Sequence, residues 1–380
     1  MGFLRLYLAI CVVFVHAGIS TWWTVHDGTQ AVQIFFMISG FYMQMIAGKY
    51  PTAYSFWLSR AVRIYAPYFG ALVISILCAG VLWSFERTLG PCSAFANQPL
   101  SHNSAAGIMA ATLLNFSVVG QDLTLFVTAN ANDGFELTAN VHEIPFPLHR
   151  YLLIPQAWTI ALELYFYALV PVLAFRSTRF LWCLLASSTV LRLFAYSALH
   201  LTHDPWIYRF FPFEIALFVG GMLAWRHSQS RLRSIDIKWS AWKYFVFVVA
   251  ATLLFWIARK FVSFGFRFID YAYLVQISYL MWFILIPILF QITRKHRLDR
   301  FLGELSYPVY LLHMAIIPVA GMLCRELPFF SLGITTISLT ILLSIAFVVF
   351  LIRPLDVWRA QLHNTNTLSI AKSSDVVHCQ

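Results

Sequence analysis

Ten apolar runs of helix length set what this chain can become: about 3–20, 30–48, 67–84, 156–175, 180–198, 209–226, 243–260, 268–291, 305–324 and 331–352. In a bilayer core, only a helix or a closed barrel satisfies its backbone hydrogen bonds internally. Barrel strands would read as alternating segments of about ten residues, and none are evident here. The chain is 60% hydrophobic and only 11% charged, against about 25% charged in a soluble domain. The expectation is an all-α, polytopic integral membrane protein of about ten transmembrane helices. The net charge of +10 then reads as cytoplasmic loops, not as a nucleic-acid surface.

Lys and Arg orient the bundle. Eighteen lie on the side shared with the N-terminus, seven on the other, and Arg192 falls inside a run. The excess predicts that both termini are cytoplasmic. The membrane unit is expected over residues 1–356, with 357–380 as a cytoplasmic tail. Residues 85–155 form the long extracytoplasmic segment. Within it, GIMAATLLNFSVVG (107–120) is short for a span and reads as a re-entrant or interfacial helix. No internal repeat is visible. Six cysteines are scattered without a CxxC or a metal-ligand spacing, so no metal is expected. Cys92 and Cys324 both fall outside the cytoplasm, and a disulfide between them is left open.

The first run, FLRLYLAICVVFVHAGIS, carries two polar side chains, Arg5 and His16. Eleven helical steps bring them within about 20° of one direction and about 16 Å apart along the axis. Arg5 then sits at one membrane edge and His16 near or just past the midplane. An ionisable group at that depth is expensive and usually functional, although a lone His also serves as an interhelical hydrogen-bonding residue. A signal-peptide reading of residues 1–17 is weakened by a poor cleavage site and by the membrane-spanning remainder.

Four further stretches carry polar groups. Ser39-Gly40 in AVQIFFMISGFYM permits close helix approach. In the loop FWLSRAVRIYAPYF, Arg60 and Arg63 share one helical face and Pro67 opens the next span. Two guanidiniums suit a phosphate-bearing ligand, while membrane anchoring is the plain alternative. Glu163 in PQAWTIALELYFYALVP is a carboxylate inside a span and needs a partner or a proton. Trp158 is an interface ring. In GELSYPVYLLHMAII, Ser306, Tyr310 and His313 share a face.

These stretches resemble acyltransferase family 3, membrane enzymes that O-acylate surface glycans. Arg5 and His16 match its Arg-x10-His pattern, and AVQIFFMISGF resembles FF-x-x-SGF. Arg60-Ala-Val-Arg63 matches RxxR. Trp158-Thr-Ile-Ala-Leu-Glu163 with Phe166-Tyr167 resembles W-S-L-x-x-E-x-x-F-Y, and Ser306 through His313 resembles S-Y-x-x-Y-L-x-H. The five occur in the family's order over about residues 1–355. Thr159 stands where Ser is common, and Leu164-Tyr165 where Glu-Gln is frequent.

The resemblance implies a donor, acetyl-coenzyme A or another acyl-coenzyme A, as co-substrate, with no resident cofactor. Its phosphates would lie near Arg60 and Arg63, with Arg5 along its arm. The catalytic set would be His16, Glu163 and His313. His16 would act as general base on a glycan hydroxyl or form an acyl-imidazole first. Trp22, Trp23 and Trp158 would face the acceptor, an extracytoplasmic or lipid-linked glycan. The expected setting is a bacterial inner membrane. The rival reading is a transporter or flippase with a His/Glu proton relay, which would show paired halves or broken helices.

Overall fold

The computed structural model describes residues 1–19, 27–97, 105–129, 134–144, 147–231, 250, 271–327 and 331–356. Among these residues, ten helices of thirteen residues or more form the body. They are α1 (Gly2–His16), α2 (Gly28–Ala47), α3 (Ala53–Glu86), α4 (Ala105–Ser117), α5 (Trp158–Leu173), α6 (Thr178–Ala198), α7 (Phe211–Arg231), α8 (Tyr271–Thr293), α9 (Arg297–Glu326) and α10 (Leu332–Phe347). Nine of the ten expected runs are helical; the run at 243–260, residue 250 apart, lies outside the described residues. Six described helices are long and apolar enough to cross a membrane. Trp22, Trp23 and the tail expected over 357–380 also lie outside the described residues.

Two boundaries differ from the sequence reading. First, α1 stops at His16 instead of reaching residue 20, and Gly18 takes a left-handed φ of +67°. His16 therefore sits in the last turn of a 15-residue helix only about 21 Å long. Second, α3 starts at Ala53, well before residue 67, through a capping box between Thr52 and Ser55. Arg60 and Arg63 thus ride in the helix itself, and Pro67 lies inside it. Val127–Ala129 (β1) pairs antiparallel with Phe135–Leu137 (β2), Thr128 opposite Glu136.

The stretch 107–120, expected as a re-entrant or interfacial helix, is helical as α4, pinned beside α3. The Tyr68 hydroxyl donates to the Asn115 carbonyl at 2.8 Å, and the Asn115 amide donates to the Tyr151 carbonyl at 2.9 Å. Its apolar residues Met109, Leu113 and Phe116 remain exposed. Cys92 and Cys324 are free thiols, and Cys324 Sγ donates to Thr335 Oγ1 at 3.3 Å. The disulfide left open by the sequence does not form.

Small residues bring the central helices into backbone contact. A Cβ placed on Gly40 of α2 would stand 1.8 Å from the Phe218 carbonyl oxygen of α7. One placed on Gly2 would stand 1.5 Å from the Asp299 carbonyl oxygen, where α1 meets α9. The Asp299 carboxylate also takes the Gly2 and Phe3 backbone N–H groups at 2.8 and 2.9 Å. These bonds set the register of α1 on α9, and through it the height of His16. Gly40→Val is expected to destabilise the fold by about 1–3 kcal/mol or more, because no flexible atom can give way. Thermal unfolding in detergent, compared with wild type, measures it; an unchanged midpoint would contradict the contact.

Charge inside the bundle is neutralised locally. Arg192 of α6, 2% exposed, donates to Glu214 Oε1 of α7 at 2.7 Å, and Glu214 is fully buried. The Gln33 amide of α2 donates to both Glu214 oxygens at 3.0 and 3.1 Å. The Tyr279 hydroxyl of α8 donates to Gln33 Oε1. Four helices thus share one polar knot, which answers for the arginine that the sequence left inside a span.

Candidate active site

The α9 residues of SYPVYLLH reach three different helices. The Tyr307 hydroxyl donates to the Ile64 carbonyl of α3 at 3.2 Å. The Tyr310 hydroxyl meets Thr159 Oγ1 of α5 at 2.9 Å and donates to the Gln156 carbonyl at 3.0 Å. His313, fully buried, places Nε2 3.1 Å from Nδ1 of His16 on α1. Ser306, by contrast, bonds only back to Gly303 of its own helix, at 2.8 Å. Thr159 supplies the hydroxyl that a Ser would supply there, so that departure from the expected pattern changes no bond.

The proton positions of the two histidines follow from their partners. His313 Nδ1 lies 2.7 Å from the Tyr310 carbonyl oxygen, which only accepts, so Nδ1 carries the hydrogen. In the neutral ring Nε2 then accepts. His16 Nδ1 faces that acceptor and also the Val12 carbonyl oxygen at 3.1 Å. Two acceptors require a donor, so the His16 hydrogen is on Nδ1 and its Nε2 carries the lone pair. This tautomer is inferred from the bonding pattern, as imidazole protons must be. The result is a base with its lone pair turned away from the buried partner, the arrangement in which a second residue fixes which nitrogen reacts.

His16 is exposed where His313 is not. It lines a cavity of about 370 Å³ whose wall comes from α1, α2, α5, α9 and the turns between helices. His142, His149, Gln156, Trp158, Tyr208 and Arg209 contribute to it. Arg209 lies 4.5 Å over both the Trp158 and Tyr208 rings, and its Nε and Nη2 bond the Asp204 carboxylate at 2.6 and 2.9 Å. Burial alone would raise the Asp204 pKa, but Arg209 and the His142 hydrogen bond hold it below the usual carboxylate range. The charge of Arg209 reaches His16.

Glu163 is not a partner of either histidine. Its Oε1 accepts from Ser39 Oγ at 2.6 Å and from the Tyr167 hydroxyl. Arg5 lies in the electrostatic reach of Tyr42, Arg63, Glu163 and Tyr167. Arg5, Arg63 and Glu163 thus form a second polar centre, nearer the start of α1 than His16 is. The two arginines of the RxxR pattern behave differently. Arg63 is exposed, while Arg60 is 6% exposed and donates to the Tyr50 hydroxyl at 2.8 Å. Of the expected catalytic set, the structure joins His16 with His313 and places Glu163 with Arg5 and Arg63. Trp158 lines the cavity.

Sequence reading missed Gln156, His149 and Arg209. Gln156 stood two residues before the Trp158 motif, and Arg209 was counted only as a loop charge. Their contribution depends on loops folding over the bundle, for which local pattern gives no signal.

Neither a search of curated proteins nor one of solved structures gives a match. A family model described as an acyltransferase domain matches residues 1–353. That span contains every helix of the body, all five motifs and both polar centres; the chain belongs to the acyltransferase family 3 of membrane proteins.

Proposed function

We propose that this protein transfers an acyl group, acetyl being the simplest, from an acyl-coenzyme A in the cytoplasm to a hydroxyl of an extracytoplasmic or lipid-linked glycan. The observation that carries this reading is the His16–His313 couple, whose free nitrogen belongs to a residue lining the cavity. On this reading both termini are cytoplasmic, as the Lys and Arg distribution favours, and the protein works in a bacterial inner membrane. Membership in an acyltransferase family leaves the transporter alternative without a supporting observation.

The chemistry follows from the wiring. An acyl-coenzyme A held by its phosphates near Arg63 lays its arm past Arg5 along α1. His16 Nε2 takes the proton of the acceptor hydroxyl as its oxygen attacks the thioester carbonyl. His313 Nε2 accepts from His16 Nδ1–H and steadies the imidazolium that forms, as a base-orienting partner does. The tetrahedral intermediate then expels the thiolate, which takes the proton from His16.

Acetyl-coenzyme A consumption by the purified protein tests the donor, and mass analysis of surface glycan with and without the protein tests the acceptor. A protein that consumes no acyl-coenzyme A, or a glycan whose mass is unchanged, overturns the reading. Arg63→Ala is expected to raise the Michaelis constant for acyl-coenzyme A about tenfold or more, since a charge-assisted contact to phosphate contributes about 1.5–3 kcal/mol. Arg60→Ala raises it too, with an added loss of thermal stability because Arg60 is buried against Tyr50 and Phe56. An unchanged donor dependence in both variants would leave the arginines as anchors only.

A further inference from the structure

Two residues of the cavity wall carry a buried polar atom with no hydrogen-bond partner: Gln156 Oε1 and His149 Nδ1. The Gln156 side chain is 3% exposed. Its Nε2 donates to the Tyr310 and Leu311 carbonyls at 3.1 and 2.8 Å. Only the amide NH2 can face two carbonyl oxygens, so the amide is fixed and its oxygen is the end left over. The same Tyr310 carbonyl takes the His313 Nδ1 hydrogen. The vacant acceptor is therefore tied to the frame that sets the base. Left unpaired, such a buried acceptor is destabilising.

His149 has a related need. Burial, with help from Arg209 and Arg150, pushes its pKa down to about 4. At neutral pH the ring is uncharged, with one N–H and one lone pair. Gln156 Oε1 accepts and a neutral imidazole nitrogen accepts or donates, so a hydroxyl satisfies either atom.

The wall's charges are already used within the protein. Arg209 is held by Asp204 and stacked on two rings, while Asp27 accepts the Gln30 N–H at 2.7 Å as the cap of α2. Among the described residues, one positive and one negative side chain line the cavity, which favours no net charge in an occupant. A volume of about 370 Å³ falls at the small end of ligand sites, about 300–1,000 Å³, which suits one ring and not a chain of them.

We infer that the cavity receives a single uncharged, polyhydroxylated ring, a neutral sugar residue of the acceptor, with Gln156 Oε1 and His149 Nδ1 each bonding one hydroxyl while another meets His16 Nε2. This rests on the acyl-transfer reading above and adds the residue class and the groups that choose the hydroxyl. In the step itself the chosen hydroxyl oxygen forms the new C–O bond and the C–S bond of the thioester breaks. The proton passes through His16 to the departing thiolate, so no other reactant is needed.

The experiment uses membrane vesicles containing the full chain, acetyl-coenzyme A and native surface glycan. It compares ester formed on glycan with thioester lost to water. Water makes no use of a hydroxyl-reading wall, so Gln156→Met and His149→Phe are each expected to lower the ratio of transfer to hydrolysis at least tenfold. The His149 variant breaks no bond within the protein at Nδ1, so it stays informative if Gln156→Met fails to fold. A ratio unchanged in His149→Phe, or in both variants, means that water alone satisfies these atoms, and overturns the inference. Mass analysis of the product is expected to place the ester on an uncharged sugar. An ester on a uronic acid or a phosphorylated residue also overturns it. Absence of any acetyl-coenzyme A consumption by wild type is a separate result, and would remove the acyl-transfer reading itself.

Discussion

His16→Ala is expected to lower acyl transfer by about 10²–10⁴-fold, the usual loss on removing a general base, and by more if an acyl-imidazole forms. The fold should survive it. His16 is the last residue of α1, is exposed, and the register of α1 is set at the other end by Asp299. Donor binding should persist as well, because Arg5 and Arg63 lie at that other end. His313 permits a finer test. His313→Phe removes the acceptor for His16 Nδ1–H, so the His16 tautomer is no longer fixed and the rate falls. His313→Gln keeps an oxygen acceptor and an N–H donor, so it is expected to retain more activity than His313→Phe at equal thermal stability. A folded His16→Ala protein that acylates glycan at the wild-type rate would remove His16 from the chemistry and turn attention to Glu163.

Arg192→Leu is expected to destabilise the protein by about 3–5 kcal/mol, because it strands a carboxylate where no water reaches. Glu214 is fully buried, and the remaining donor to it, the Gln33 amide, is neutral. The effect belongs to the unpaired charge more than to the lost attraction. The double variant Arg192→Leu/Glu214→Leu should therefore recover most of the loss, since apolar replacement of a whole buried pair is often neutral. Gln33 keeps a partner in that double variant, the Ile207 carbonyl at 3.1 Å. Thermal unfolding of the two single variants and the double decides it. A double variant as unstable as the sum of the singles would show that the pair itself supplies the stability.

The outline of the fold was legible because an apolar run of eighteen or more residues leaves the backbone few choices. The face shared by Arg5 and His16 was legible for the same reason, as helical periodicity alone sets it. The end of α1 was not. Residues 17–19 are as apolar as the turns before them, and the helix ends through the backbone at Gly18. The start of α3 was missed because Ser55, Ser59, Arg60 and Arg63 give its first turns the polarity of a loop. Here the Thr52–Ser55 capping box is the local signal that marks a helix start. The Arg192–Glu214 pair left a trace in two charges inside separate apolar runs, each needing a partner. Which partner each finds depends on how α6 and α7 pack, and spacing along the chain does not carry that. The cavity is least legible of all, since its wall joins residues from five separate parts of the chain.

The hydrogen-bond chain from the Tyr310 carbonyl through His313 to His16 is made of uncharged groups. An electric field across a membrane does work only on charge that moves through it, about 2.3 kcal/mol per elementary charge per 100 mV. On the proposed reading the coenzyme's phosphates stay on their own side, an acyl group passes one way and the acceptor's hydroxyl hydrogen the other, and no net charge crosses. The passage is then indifferent to voltage: an energised membrane neither drives the reaction nor resists it. Vesicles with collapsed and with imposed potentials should acylate glycan equally fast, and the direction of transfer is left to the free energy of the thioester alone.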